Sequence, residues 1–149
     1  MRYWQLVEPI WDVISIYDGS EAFEAQYRAS PEASRTLFAA HWCQSEVRNG
    51  GFEQFFSNST GVLAPEAVEA FKVIGMPKTA RVVETAMTVF GSRYPRDRGE
   101  REAIMESAFT SCDDESYPFE EFDEEFFDLI KQEGGGFEAS ADRYAERNA

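Results

Sequence analysis

Histidine and cysteine are almost missing from this sequence. His41 is the one histidine, and the two cysteines, Cys43 and Cys112, stand far apart with no CxxC spacing. A structural zinc site needs four ligands of this kind. On a helix, His41 and Cys43 would point about 200° apart, so they do not converge. No metal or other cofactor is expected, and two free thiols suit a reducing compartment. Long apolar runs are missing as well: none approaches the roughly 20 residues that span a bilayer. Glu8, Pro9 and Asp12 interrupt the stretch where a signal peptide would be apolar. These absences predict a soluble, cytoplasmic protein with no membrane association. The chain carries no phosphate-binding loop, dinucleotide fingerprint or GxSxG. The glycine run Gly134–Gly136 lacks the strand and helix that phosphate binding requires, and reads as a flexible joint. Carboxylates are so numerous that no pair of them is distinctive, and no enzyme is expected.

Positive charge is scarce in one part of the chain only. The 149 residues hold 28 acidic and 14 basic side chains, a net charge of −14. Residues 1–99 are nearly balanced, whereas residues 100–149 carry 16 acids against four bases. So acidic a C-terminal third repels nucleic acid, excluding direct binding, and favours a basic partner. The content of 43% hydrophobic and 15% aromatic residues supports a folded core.

Alternating strand patterns and internal repeats are absent, and the punctuation is helical. The pattern predicts an all-α fold: a single compact domain, residues 1–149, of about seven short helices. Pro9 opens a predicted helix carrying Trp11, Ile14 and Tyr17 on one face, ended by Asp18-Gly19. A short helix over Ala22 to Tyr27 follows, and Ser30-Pro31 starts a longer one that runs unbroken to Arg48. Pro65 and Pro77 start two more, stopped by Gly75 and Gly91. Glu100 to Phe109, the acidic segment and the stretch from Phe137 to Tyr144 complete the set.

The least generic stretch is EVRNGGFEQFFSNSTG, residues 46–61. Asn49 and Gly50 tolerate the left-handed conformation that ends a helix, and Gly51 permits sharp re-entry. Phe52, Phe55 and Phe56 then share one face of a short aromatic helix. Asn58 and its neighbours form a polar turn closed by Gly61. A scaffold role is the preferred reading of Glu46, Asn49, Gly50, Gly51, Phe52, Gln54, Phe56, Asn58 and Gly61. The alternative is a small-molecule pocket: backbone N–H groups of the corner, amides of Asn49, Gln54 and Asn58, and the carboxyl of Glu46.

Glu46 followed by NGGFEQFFSNSTG, a helix ending in VIG, and a proline-led helix with ARVVETAMTVF resembles a small bacterial domain-of-unknown-function family that includes a DNA-mimic protein. The resemblance spans roughly residues 31–91. It implies a mostly helical fold. In the DNA-mimic member, surface carboxylates imitate DNA phosphates and occupy the DNA-binding face of a transcription factor. The matching stretch is not itself acidic, so no mimic residue transfers through it.

From Asp113 to Asp128 there are nine acids in 16 residues and no Lys, Arg or His. At about 100° per residue, Phe119, Phe122, Phe126, Leu129 and Ile130 form one helical face. Glu120, Glu121, Glu124, Glu125 and Asp128 form the opposite one, with Asp123 at the edge. Asp113, Asp114 and Glu115 would extend the patch upstream. The segment does not fit an EF-hand loop, because Tyr117 and Pro118 fall at positions 5 and 6. Ordinary solvated helix faces mix signs, since like charges at i, i+4 repel. The leading expectation is therefore a non-enzymatic interaction module whose acidic face meets a basic protein, in its most concrete form a DNA mimic acting on transcription. An immunity protein covering a nuclease-type toxin satisfies the same residues. Aromatic residues left over from the predicted core (Tyr117, Phe127, Tyr144) also permit a homodimer.

Overall fold

The computed structural model describes residues 2–110 and 118–148; Asp113, Asp114, Glu115 and Tyr117 lie outside the described residues. Eight α-helices occur among those described: α1 (Trp4–Val7), α2 (Ser20–Ala29), α3 (Glu32–Ser57), α4 (Ala64–Val73), α5 (Pro77–Met87), α6 (Arg98–Thr110), α7 (Glu120–Gln132) and α8 (Phe137–Asn148). Short 3-10 turns follow α1, α3, α5 and α7. The protein is all-α, as the helical punctuation predicts. The long helix α3 is the centre, and α1, α2, α4, α6, α7 and α8 all pack against it, while α5 bridges α4 and α7.

Local chemistry accounts for most boundaries. Pro65 and Pro77 lie in the first turns of α4 and α5, where a missing N–H costs nothing. The apolar faces of α4 and α5 bury Ala67, Val68, Phe71, Ala80, Val83 and Ala86. In α7 the stripe predicted to face inward does so. Phe126 and Ile130 are buried, and Phe122, Phe127 and Leu129 are partly covered against the same core.

Three expectations are corrected. No continuous helix runs from Pro9 to Tyr17: a 3-10 turn covers Glu8–Ile10, hydrogen-bonded turns carry the chain to Ile14, and the helical geometry ends there. Ile14 and Ile16 are both buried there. Trp11 instead stacks on Trp42 of α3, ring centroids 4.9 Å apart. Gln26 of α2 accepts a hydrogen bond from the Ser15 N–H at 2.6 Å. Second, the glycines at 134–136 are an ordered turn rather than a flexible joint. All three have positive φ, and Arg143 of α8 donates to the Gly134 carbonyl. Third, two of the aromatic residues offered for a homodimer are not a free surface. Tyr144 is buried, and Phe127 packs against the core.

Candidate functional site

The corner inside α3 is held by polar bonds as well as by phenylalanines. The chain re-enters the helix through Gly50 (φ −148°) and Gly51 (φ 72°). The positive φ expected at Gly50 is found one residue later. Gly50 is confined for another reason: a Cβ there would stand 2.1 Å from Oε1 of Gln54. Phe52, Phe55 and Phe56 are fully buried. Phe56 meets Phe90 edge-on at 5.0 Å, and Phe52 meets Phe126 of α7 edge-on at 5.5 Å. Each such ring pair contributes about 0.5–1.5 kcal/mol beyond burial.

The carboxyl of Glu46 organises the polar side. It accepts a hydrogen bond from Thr60 Oγ1 at 2.9 Å, one from Asn58 Nδ2 at 3.4 Å and one from Gln54 Nε2. Gln54 in turn accepts from Asn49 Nδ2 at 3.0 Å. The amides that a small ligand would use are thus engaged with one another across the corner. This satisfaction of a buried acid by neutral donors is what burial demands.

A buried arginine closes the polar turn. Arg101 of α6 is 0% exposed. Its guanidinium donates to the carbonyls of Phe56 (2.8 Å) and Asn58 (2.9 Å), at the C-terminal end of α3, and to Pro95 and Arg96. Helix-end carbonyls lack helical partners and carry the negative pole of the dipole, so a cation suits them. Gly61 lies beneath: a Cβ there would be 2.7 Å from Arg101 Nε. Tyr94 donates to the Gly61 carbonyl at 2.7 Å, and Arg96 forms a two-pronged bond with Glu66 at 2.8 and 2.9 Å. Sequence pattern alone does not single out Arg101; the one signal it offers is a base sharing a helical face with Met105 and Ala108.

His41 is not brought together with Cys43 and Glu46 as a reactive group. Its Nδ1 lies 3.0 Å from the Tyr3 hydroxyl, and its ring sits among Trp4 and Trp11. Burial lowers its pKa. Burial, with the Glu46 carboxyl nearby, pushes the Cys43 thiol up, away from nucleophilic thiolate chemistry.

The acidic helix α7 divides its carboxylates into two groups. Asp123, from its first turn, crosses to the corner and accepts a hydrogen bond from the Phe52 N–H at 2.8 Å. Glu133, one residue past its end, accepts from the N–H groups of Lys78 and Thr79 and from the Thr79 hydroxyl, all at 2.8 Å. Both saturate unpaired N–H groups at the start of a helical segment. The other five, Glu120, Glu121, Glu124, Glu125 and Asp128, are exposed, and none takes part in an ion pair among the described residues. The helix is pinned at both ends and presents an anionic face between them, with Lys131 in its last turn as its one base.

Over residues 28–148 the sequence matches the family model described as DMP19-like protein. The chain belongs to the DMP19-like family. No curated protein matches it, and no solved structure does. The DMP19-like match extends well past the 31–91 stretch of the motif resemblance and takes in α7. The corner and the acidic face therefore both fall within the DMP19-like region, joined by the Asp123–Phe52 bond.

Proposed function

We propose that this protein is an interaction module that acts as a DNA mimic, with the outer face of α7 occupying the basic nucleic-acid-binding surface of a partner protein. One observation carries the reading: five exposed carboxylates, without ion-pair partners among the described residues, on one side of a helix pinned at both ends. From 120 to 128 that helix advances about 12 Å at 1.5 Å per residue. Five charges over that length are spaced about one per 3 Å, close to the 3.4 Å axial rise per phosphate of a single DNA strand. A preorganised array has little ordering cost on binding, and its sign speeds encounter with a basic groove. Membership of the DMP19-like family supports the same reading.

The test compares the native protein with a variant carrying E120Q, E121Q, E124Q, E125Q and D128N. The native chain should capture a DNA-binding protein from its host at low salt, lose it as ionic strength rises, and be displaced by that partner's own DNA duplex. The variant should keep its circular dichroism spectrum and lose the partner. Capture of the same partner at unchanged affinity by the neutralised variant would sink the proposal. Capture of a nuclease toxin, with inhibition of its cleavage, would instead favour the immunity-protein reading.

A further inference from the structure

A groove lies between α6 and the second segment of α3. Met105 and Phe109 line it from α6, and Glu53, Ser57, Glu102 and Glu106 complete the wall; its volume is 350 Å³. The residues follow helical spacing on both sides, 53 and 57 on one and 102, 105, 106 and 109 on the other. The floor is apolar, whereas the rim holds three exposed carboxylates. Glu102 also bonds Arg98 at 3.0 Å, and three acids against that one base give the rim a negative formal charge. The groove adjoins the acidic helix: Phe109 meets Phe119, the residue before α7, edge-on at 6.2 Å. Glu53 follows directly on Phe52, which Asp123 of α7 caps.

An apolar cleft with an acidic rim selects its occupant by two criteria at once. DNA phosphates and sugars offer no apolar side chain, and the anionic rim disfavours an acidic or phosphorylated ligand. A protein segment with an apolar side chain flanked by lysine or arginine satisfies both. We propose that this groove docks an apolar anchor residue of the basic partner, carried on a short amphipathic segment whose cationic side chains meet Glu53, Glu102 and Glu106. The inference rests on the partner-binding reading of α7 and adds what a row of carboxylates lacks. Charge gives rate and orientation, and a buried anchor discriminates one basic protein from another.

The experiment uses the full chain and two synthetic amphipathic peptides of equal positive charge. One has leucines along its apolar face, and the other has serines in their place. The leucine peptide should bind at least about tenfold more tightly, the effect of burying one large aliphatic side chain. It should also shift the Met105 methyl resonance of the unmodified protein, a readout that needs no variant to fold. E53K should weaken binding of the leucine peptide, and F109A should abolish the preference where its melting curve remains cooperative. Equal affinity of the two peptides, or binding that leaves the Met105 methyl unmoved, overturns the proposal. So does a groove occupied by a second copy of the chain, seen as a dimer that E53K dissociates. The two readings separate cleanly. If the variant neutralised on α7 captures the partner undiminished while the leucine preference persists, the acidic-face reading fails and the groove stands. If the preference is absent while that variant loses the partner, the groove alone fails.

Discussion

Asp123 Oδ1 accepts a hydrogen bond from the Phe52 N–H at 2.8 Å, across 71 positions of sequence. The bond connects the acidic helix to the glycine corner. A Cβ at Gly51 would lie 2.6 Å from Oδ2 of the same carboxylate. The glycine thus supplies the backbone conformation of the corner and also the space in which Asp123 sits.

Gly51→Ala should therefore destabilise the protein for two reasons. The positive φ with extended ψ at this position (72°, −175°) is essentially confined to glycine and costs another residue about 1–3 kcal/mol, and the new methyl group displaces Asp123. Urea unfolding should show a loss of about 2–3 kcal/mol. Asp123→Ala alone should cost about 1 kcal/mol as a lost helix cap. In the double variant the two losses should add to less than their sum, because the clash disappears with the side chain. Strict additivity would mean that the two residues do not communicate.

Arg101→Leu should be among the most damaging substitutions in the chain. It leaves the carbonyls of Phe56 and Asn58 without their donor inside the core, where each unsatisfied group costs about 1–3 kcal/mol. Chemical denaturation should show a loss of at least about 3 kcal/mol. Gly61→Ala, which crowds the same guanidinium, should move stability in the same direction. A near-neutral effect of Arg101→Leu would mean that apolar packing replaces the polar clamp.

Glu125→Gln combined with Asp128→Asn should stabilise the protein. Both positions lie beyond the first turn of α7, where the helix dipole does not favour acids. Each repels exposed carboxylates three or four residues away, at a cost of a few tenths of a kcal/mol per pair. A gain of about 0.5–1 kcal/mol at low ionic strength, shrinking in high salt, should appear in thermal melts. No gain would show that the face carries little repulsive strain.

His41 should give the protein a mild acid sensitivity. Burial lowers its pKa below the ordinary 6.5, so the folded state binds fewer protons than the unfolded chain as pH falls. Its contribution to stability is complete above pH 6.5 and declines as pH drops through that value toward the folded pKa. NMR titration of the single histidine should place its midpoint below 6.5. His41→Gln should flatten the stability profile over the same window. A midpoint at or above 6.5 would contradict the sign.

The local features were legible because their causes are local. Proline starts, the Phe52–Phe55–Phe56 face and the apolar stripe of α7 follow from spacing along one helix. The N-terminal stretch was misread because Trp11 satisfies helical spacing but finds a better partner in Trp42. The positive φ falls on Gly51 rather than Gly50; either glycine permits the turn, so local spacing does not choose between them.

The sequence by itself determined an all-α chain, a glycine corner with a phenylalanine face, and one helix acidic on its outer side. Periodicity suffices for these, because a residue's face depends only on its position along the helix. Tertiary structure alone decided how the acids divide. Glu46, Asp123 and Glu133 turn to donors contributed by distant or folded-back parts of the chain. Glu120, Glu121, Glu124, Glu125 and Asp128 remain exposed. A carboxylate's role depends on which unpaired N–H groups the fold brings within about 3 Å, and that distance is set by packing across the whole chain.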